Sequence, residues 1–388
     1  MNIILFDTNE RNKLFPITLT RAVADIRMGI FTIKERWEKL TGSAVFVLTD
    51  VYLQNLYETI PAGDYLFVDA RVMPNSALVS MLLALPFNQI IKDDAGLISG
   101  KTTIQALPSI SEVSSLFKNA FSTEPVQRIT FPQDIFKWNK EAIQFDYKLV
   151  TQNRTSSQIN ATVQVAEPSQ VFIEEGAVVS FSILNALTGP IYIGKNATVM
   201  EGCLIRGPFV LGEGATLKMG TKIYGATTVG PYCTGGGEIK NSVMMRYSNK
   251  GHDGYLGDSV VGEWCNMGAG TSNSNVKNTA GQVSLWNYST ENFLPAGNKC
   301  GVIIGDYSRM AINSSINTGT VIGVCCNVFG QGLTPKFVPD FSWGFGDAAR
   351  YDFEKAIKDI GNWKKMKNKD VSETETQVLK HIFEHHND

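Results

Sequence analysis

Short apolar runs and helical periodicity alternate through the first 150 residues, after which the chain changes rhythm. "NIILF" (2–6) and "SAVFVLT" (43–49) have the length and unbroken apolar character of buried parallel strands. "RMGIFTIKERWEKL" (27–40) and "VYLQNLYETI" (51–60) space their apolar residues for helices. "DYLFVDARVMP" (64–74) predicts a further strand ending at Asp69. "NQIIKDDAGLISG" (88–100) predicts a hairpin that turns at Asp94-Ala95-Gly96. Strands alternating with helices predict a Rossmann-like α/β layer on a parallel sheet.

From about residue 160 charge thins out, glycines multiply, and β-branched residues recur at a long fixed interval. Ile193-Gly194, Leu211-Gly212 and Val229-Gly230 are eighteen residues apart, and Ile304-Gly305 and Ile322-Gly323 repeat that interval. Eighteen is three hexapeptides, one triangular coil of a parallel β-helix whose aliphatic residues stack inward. "IGKNAT", "LGEGAT" and "VGPYCT" share one pattern: aliphatic, Gly, two variable residues, small, Thr. Between Val229 and Ile304 the period breaks at "GGG" (235–237) and over 249–292, which predicts loops thrown out of the coils, where chemistry often resides. The last forty residues carry two helical patterns, predicted to cap the solenoid or pack on a neighbour. The domain boundaries that follow are 1–155, 156–340 and 341–388.

Composition narrows the function classes. The 388 residues include 35 basic and 37 acidic side chains, too balanced for nucleic-acid binding by bulk charge, though a local phosphate pocket is compatible with it. The longest apolar run, near 77–87, is too short to span a bilayer. "MNIILFDTNE" lacks the basic region of a signal peptide. Six cysteines (203, 233, 265, 300, 325 and 326) without C-x-x-C spacing fit reduced, mostly buried thiols. A soluble cytoplasmic protein is the expectation.

One histidine stands in the body of the chain, in "GHDGYLGDSVVGEWCNMGAGTSNSN" (251–275). A neutral imidazole suits removal of an amine proton near pH 7, as acyl transfer from a thioester requires. Glycine-rich backbone N–H groups or an amide such as Asn266 suit the developing oxyanion. No serine or cysteine pairs with His252 as a nucleophile, so direct attack of the acceptor amine is the economical route. Lys240 lies twelve residues before His252 and Lys222 eighteen before Lys240, a spacing that predicts two stacked cations for a phosphate.

The segment resembles the active site of the bacterial bifunctional enzymes that acetylate glucosamine-1-phosphate and then uridylylate the product. That family reads H-x-x-Y-x-G-D, then Asn-Ile-Gly-Ala-Gly-Thr, then Asn-Tyr. This chain has His252, Tyr255, Gly257 and Asp258, then "NMGAGT" (266–271), then Asn275 followed by Val276 in place of the tyrosine. The resemblance implies a nucleotidyltransferase domain followed by a left-handed β-helix that forms a homotrimer, with acetyl-CoA as co-substrate. It implies His252 and Asn266 as catalytic residues, Lys222, Lys240, Tyr255 and Asn275 at the sugar phosphate, and Gly268, Ala269 and Gly270 at the coenzyme. Lys222 stands where the family has arginine, a point charge in place of a bidentate fork.

The first half also resembles sugar nucleotidyltransferases, which open with G-x-G-T-R and a P-L-T-like stretch. "FDTNERNKLFPITLTRAVADIRMG" (6–29) keeps Arg11, Pro16-Ile17-Thr18 and Gly29 but has no glycine in the phosphate loop. The resemblance assigns Arg11 and Arg21 to a nucleotide and Asp69 to Mg2+, and "DIFKWNKEAIQFD" (134–146) to the end of the domain. The expected protein is a transferase that acetylates an amino-sugar phosphate and binds, or also forms, a nucleotide sugar. Two rival readings are a nucleotidyltransferase with the β-helix only as trimer scaffold, and a non-catalytic nucleotide-sugar-binding protein.

Overall fold

The computed structural model describes residues 1–117, 119–346 and 349–386. Strand β1 (Asn2–Phe6) is buried from Ile3 onward and lies inside a six-stranded sheet. Its neighbours are β2 (Val45–Leu48) and β3 (Gly63–Asp69), both parallel to it. Strands β4 (Gln89–Asp93), β5 (Gly96–Ile104) and β6 (Asn119–Ser122) complete the order β2-β1-β3-β5-β4-β6. The expectation of a parallel sheet holds for one half only. β5 runs antiparallel to β3 and β4, because the tight turn at Gly96 can only reverse the chain.

Helix α1 (Ile33–Thr41) starts six residues later than expected. Gly29 adopts a left-handed conformation (φ 67°) that folds Arg27–Met28 back on Phe31–Thr32, and Thr32 with Glu35 forms a capping box. The helix expected over 51–60 is a single turn, Val51–Gln54. Beyond it the Tyr57 hydroxyl turns inward, donating to Asp25 at 2.7 Å and accepting from the Ala22 N–H at 2.8 Å.

The β-helix has three faces of parallel strands. The first face holds nine strands from Val171–Ile173 to Phe337–Val338, and the second runs from Val178–Val179 to Ser342–Trp343 before an antiparallel return at Ala349–Arg350. The third holds six from Gln164–Ala166 to Tyr255–Gly257. Ile193, Leu211 and Val229 stand in one column, as their eighteen-residue spacing predicts. The interruption expected over 235–292 is smaller in the structure. Thr228 pairs with Val243 and Val243 with Val260, so coils of 15 and 17 residues keep 235–273 within the solenoid. What leaves it is a hairpin, Val283–Asn287 with Asn292–Gly297, between the paired strands at Val260 and Ile303.

Two of the three faces are covered. The first packs outward on the amino-terminal domain: Met245, Val260, Ile303 and Val321 share a cluster with Ile3 and Trp37. Phe172, Tyr192 and Val210 meet Ile143 and Tyr147 of helix α2 (Asn139–Thr151). Helices α3 (Phe353–Lys365) and α4 (Glu373–His385) pack beside the second face, where Ile360, Leu379 and Ile382 join Trp264, Tyr307, Phe15 and Leu53. These helices therefore wedge between the two domains of one chain. Among the described residues no helix is long and apolar enough to cross a membrane. All six cysteines are buried and free.

Candidate active site

His252 lies on the corner between strand Asn249–Lys250 of the second face and Tyr255–Gly257 of the third. The corners of adjacent coils touch here, which is why glycine recurs. A Cβ on Gly236 would come within 2.6 Å of the Gly251 backbone, and one on Gly254 within 2.1 Å of the Thr271 carbonyl. The corner containing Gly268, Ala269 and Gly270 sits directly on that of His252, with the Gly270 N–H donating to the Asp253 carbonyl at 3.1 Å. The imidazole is exposed, and among the described residues it has no hydrogen-bond partner.

Beneath the corner is a residue that motif comparison missed. Lys250 occupies the inward column of Val199, Leu217 and Gly235 and is 1% exposed. Its Nζ donates to the carbonyls of His252 (2.9 Å) and Gly236 (3.2 Å), so two stacked corners are pinned from inside. Burial pushes its pKa down to about 8. The eighteen-residue period alone does not find it, since Lys250 follows Gly235 by fifteen residues.

On the third face Tyr255, Asp258 and Asn275 come together. Asn275 Nδ2 donates to the Tyr255 hydroxyl (3.1 Å) and to Asp258 (2.5 Å), whose other oxygen accepts from Asn241 at 2.6 Å. Asn273 ties down the strand between them, accepting from the Gly257 N–H at 2.9 Å and donating to its carbonyl at 3.1 Å. Burial, then the Asp258 charge, pushes the Tyr255 phenol up to about 12, so it is protonated at neutral pH.

Register corrects the two lysines. Lys222 pairs with Glu238, and Glu238 with Tyr255; Tyr224 pairs with Lys240, and Lys240 with Gly257. This coil has sixteen residues (222 to 238), so the lysines sit diagonally on one outward face and do not stack. Asn266 belongs elsewhere. It stands on the second face, in a column with Thr234, Asn249, Arg309 and Asn327, apart from the Tyr255 cluster.

In the amino-terminal domain the expected ligand residues are engaged by protein. Asp69 is fully buried at the end of β3, with Arg71 donating at 2.7 and 3.1 Å and Arg128 at 3.3 Å. Two guanidinium groups already neutralise both its oxygens, so Asp69 does not fit Mg2+, and no group of three metal-ligating side chains occurs among the described residues. Arg11 donates to the Thr18 carbonyl (2.6 Å) and Tyr52 (2.8 Å) and lies 3.6 Å from Asp7. Arg21 reaches across the domain boundary to pair with Asp306 and, at 3.5 Å, with Glu263. Both arginines are buried and held by these protein partners.

Residues 3–155 match the model of the sugar nucleotidyl transferase family. The match is confined to the amino-terminal domain. Among curated proteins, the chain is 33% identical over 110 residues to a bifunctional sugar-1-phosphate nucleotidylyltransferase/acetyltransferase of Sulfurisphaera tokodaii, over 28% of this chain and 26% of that protein. It is 36% identical over 88 residues to the bifunctional protein GlmU of Methanococcus aeolicus, over 22% of this chain and 20% of that one. The matched region thus spans about a quarter or less of these relatives' length. A UDP-N-acetylglucosamine acyltransferase of Arabidopsis overlays 59% of this chain and 90% of its own at 13% identity, but with a TM-score of 0.31 it adds nothing to the strand register. Within the amino-terminal domain, the segment after β1 is closed by its own contacts: Asp7 accepts from Thr49 (2.6 Å) and the Val23 N–H (3.1 Å). Burial pushes the Asp7 carboxyl up to about 6.

Proposed function

We propose that this chain is a sugar-phosphate-modifying transferase whose β-helix acetylates an amino-sugar phosphate with acetyl-CoA at the His252 corner. One observation carries the reading: an exposed imidazole, on a corner held from inside by Lys250, stands beside the Tyr255–Asn275–Asp258 cluster. The acceptor amine attacks the thioester carbonyl while His252 takes its proton; the C–N bond forms, the C–S bond breaks, and the proton passes to the departing thiolate. The Gly268 N–H donates to Met310 and the Gly270 N–H to Asp253, so Ala269 offers the backbone N–H for the oxyanion. Lys240 and Lys222 suit the phosphate, and Tyr255 and Asn275 the sugar ring.

Free-thiol release from acetyl-CoA is the test, with a panel of amino-sugar phosphates. His252→Ala is expected to lower the rate by about 10²–10⁴, and a loss under about tenfold removes the histidine from the chemistry.

The engagement of Arg11, Arg21 and Asp69 favours a nucleotide-sugar-binding or bracing role for the amino-terminal domain over nucleotidyl transfer. Pyrophosphate release from a sugar phosphate and a nucleoside triphosphate, undiminished by His252→Ala, would reverse that preference. The third face leaves Ile183, Leu204 and Tyr224 exposed while the other two faces are covered, which supports a homotrimer assembled through it. Light scattering is expected to give three times the 42.6 kDa chain mass, and a monomer mass in dilute solution contradicts it.

A further inference from the structure

Arg309 is the one outward arginine on the second face's amide column, and it is 8% exposed. In register on either side stand Asn266 and Asn327, with Asn249 one coil beyond Asn266. Paired residues on neighbouring parallel strands point the same way at about 4.8 Å spacing, so these amides and the guanidinium form one strip. Lys367 approaches the strip's far end, with its Nζ 3.1 Å from Asn249 Oδ1.

The guanidinium has no carboxylate bonded to it among the described residues. Its contact is the ring of Trp363, 5.5 Å from the centroid, and among the described residues it forms no ion pair. Asp359, a nearby carboxylate, accepts the Tyr351 hydroxyl at 2.5 Å. Arg309 Nε and Nη2 are buried and donate to nothing. Those two nitrogens share one edge of the guanidinium, the fork that grips a carboxylate or phosphate with two parallel hydrogen bonds. The side-chain amides of Asn266 and Asn327 also make no hydrogen bond among the described residues, so their Nδ2 donors stand unengaged on either side of the guanidinium. A buried charge in this state is costly unless something pairs with it.

We propose that Arg309, with Asn266 and Asn327, forms a binding site for a small oxyanion, a phosphate or carboxylate group, under helix α3. The site is separate from the His252 corner and takes up the one residue of the histidine motif that the structure moves away from it. Asn266 serves here as an amide beside the anion.

The test is thermal unfolding of the full chain in phosphate-free buffer. Inorganic phosphate and sodium acetate are titrated as two arms, with sodium chloride at matched ionic strength as the control. The Tm of wild type is expected to climb with the logarithm of phosphate or acetate concentration, and the arm that acts at lower concentration identifies the preferred oxyanion. Arg309→Met is expected to unfold at the same or a higher temperature without anion and to show no anion-dependent shift. Asn266→Ala is expected to need about tenfold more anion for the same shift, so a decision is reached even if the methionine variant folds poorly. A wild-type shift no larger than that of chloride, or an equal shift in Arg309→Met and Asn266→Ala, overturns the site. No acetyl-CoA enters the assay, so failure here leaves the acetylation reading intact, and the reverse holds.

Discussion

Lys250 shows how one side chain couples the core to the site. It points into a column of aliphatic residues, yet it bonds to the backbone of the corner that carries His252. Its folded pKa, pushed down to about 8, lies below the roughly 10.4 of an unfolded chain. Below about pH 8 both states are charged and the burial cost is felt in full. Between about 8 and about 10.4 the unfolded chain holds a proton that the folded chain has lost, so stability rises with pH across that window. Lys250→Met is expected to flatten that slope and hold or raise the Tm at pH 7. It should also lower acetyl transfer, because the corner loses two hydrogen bonds. Tm recorded against pH for both proteins decides this, and an unchanged slope refutes the assignment of the slope to Lys250.

At the scale of elements, the coil is the unit and its corners are where it can fail. Coils shorten from twenty residues at the start of the solenoid through eighteen to fifteen to seventeen around the His252 corner. Around His252 successive corners touch backbone to backbone, and glycine there leaves space for hydrogen only. Gly254 combines that crowding with φ 123°, a conformation few residues with a side chain adopt. Gly254→Ala is expected to destabilise the chain by about 1–3 kcal/mol and to lower activity by moving His252. Urea unfolding reads the first effect and thiol release the second. A variant as stable and active as wild type would mean that the corners have slack.

The whole molecule is one chain whose domains share a core. Thr20 and Arg21, just past the Pro-Ile-Thr stretch, bind Asp306 of the β-helix, and Asn139 joins the Gly29 turn to the Ala226 carbonyl. Removing one partner of a buried ion pair costs about 3–5 kcal/mol. Arg21→Met and Asp306→Asn are each expected to destabilise on that scale, and the double variant to cost less than their sum. Strict additivity in urea unfolding would show that the pair does not couple the domains. The contact also immobilises the segment that would handle a nucleotide, which links the assembly of the domains to the weakened case for nucleotidyl transfer.

The amino-acid sequence by itself determined the features that depend on spacing along the chain. The eighteen-residue period survives because each inward aliphatic must meet the next coil, and the β1 and β3 runs survive because both faces are covered. His252, Tyr255, Asp258 and Asn275 were legible because a short stretch of two coils holds them all, so sequence distance nearly equals spatial distance. Contacts between distant segments and the phase of the coils became visible in the folded chain alone. Arg11, Arg21 and Asp69 have the residue types of ligand groups, yet each is satisfied by partners that local pattern does not reveal. Two residues dropped from one coil shifted Lys222 against Lys240, and the choice of face carried Asn266 to Arg309. Register is set by how coils pack, and a side-chain period of two makes small changes in phase large changes in neighbours.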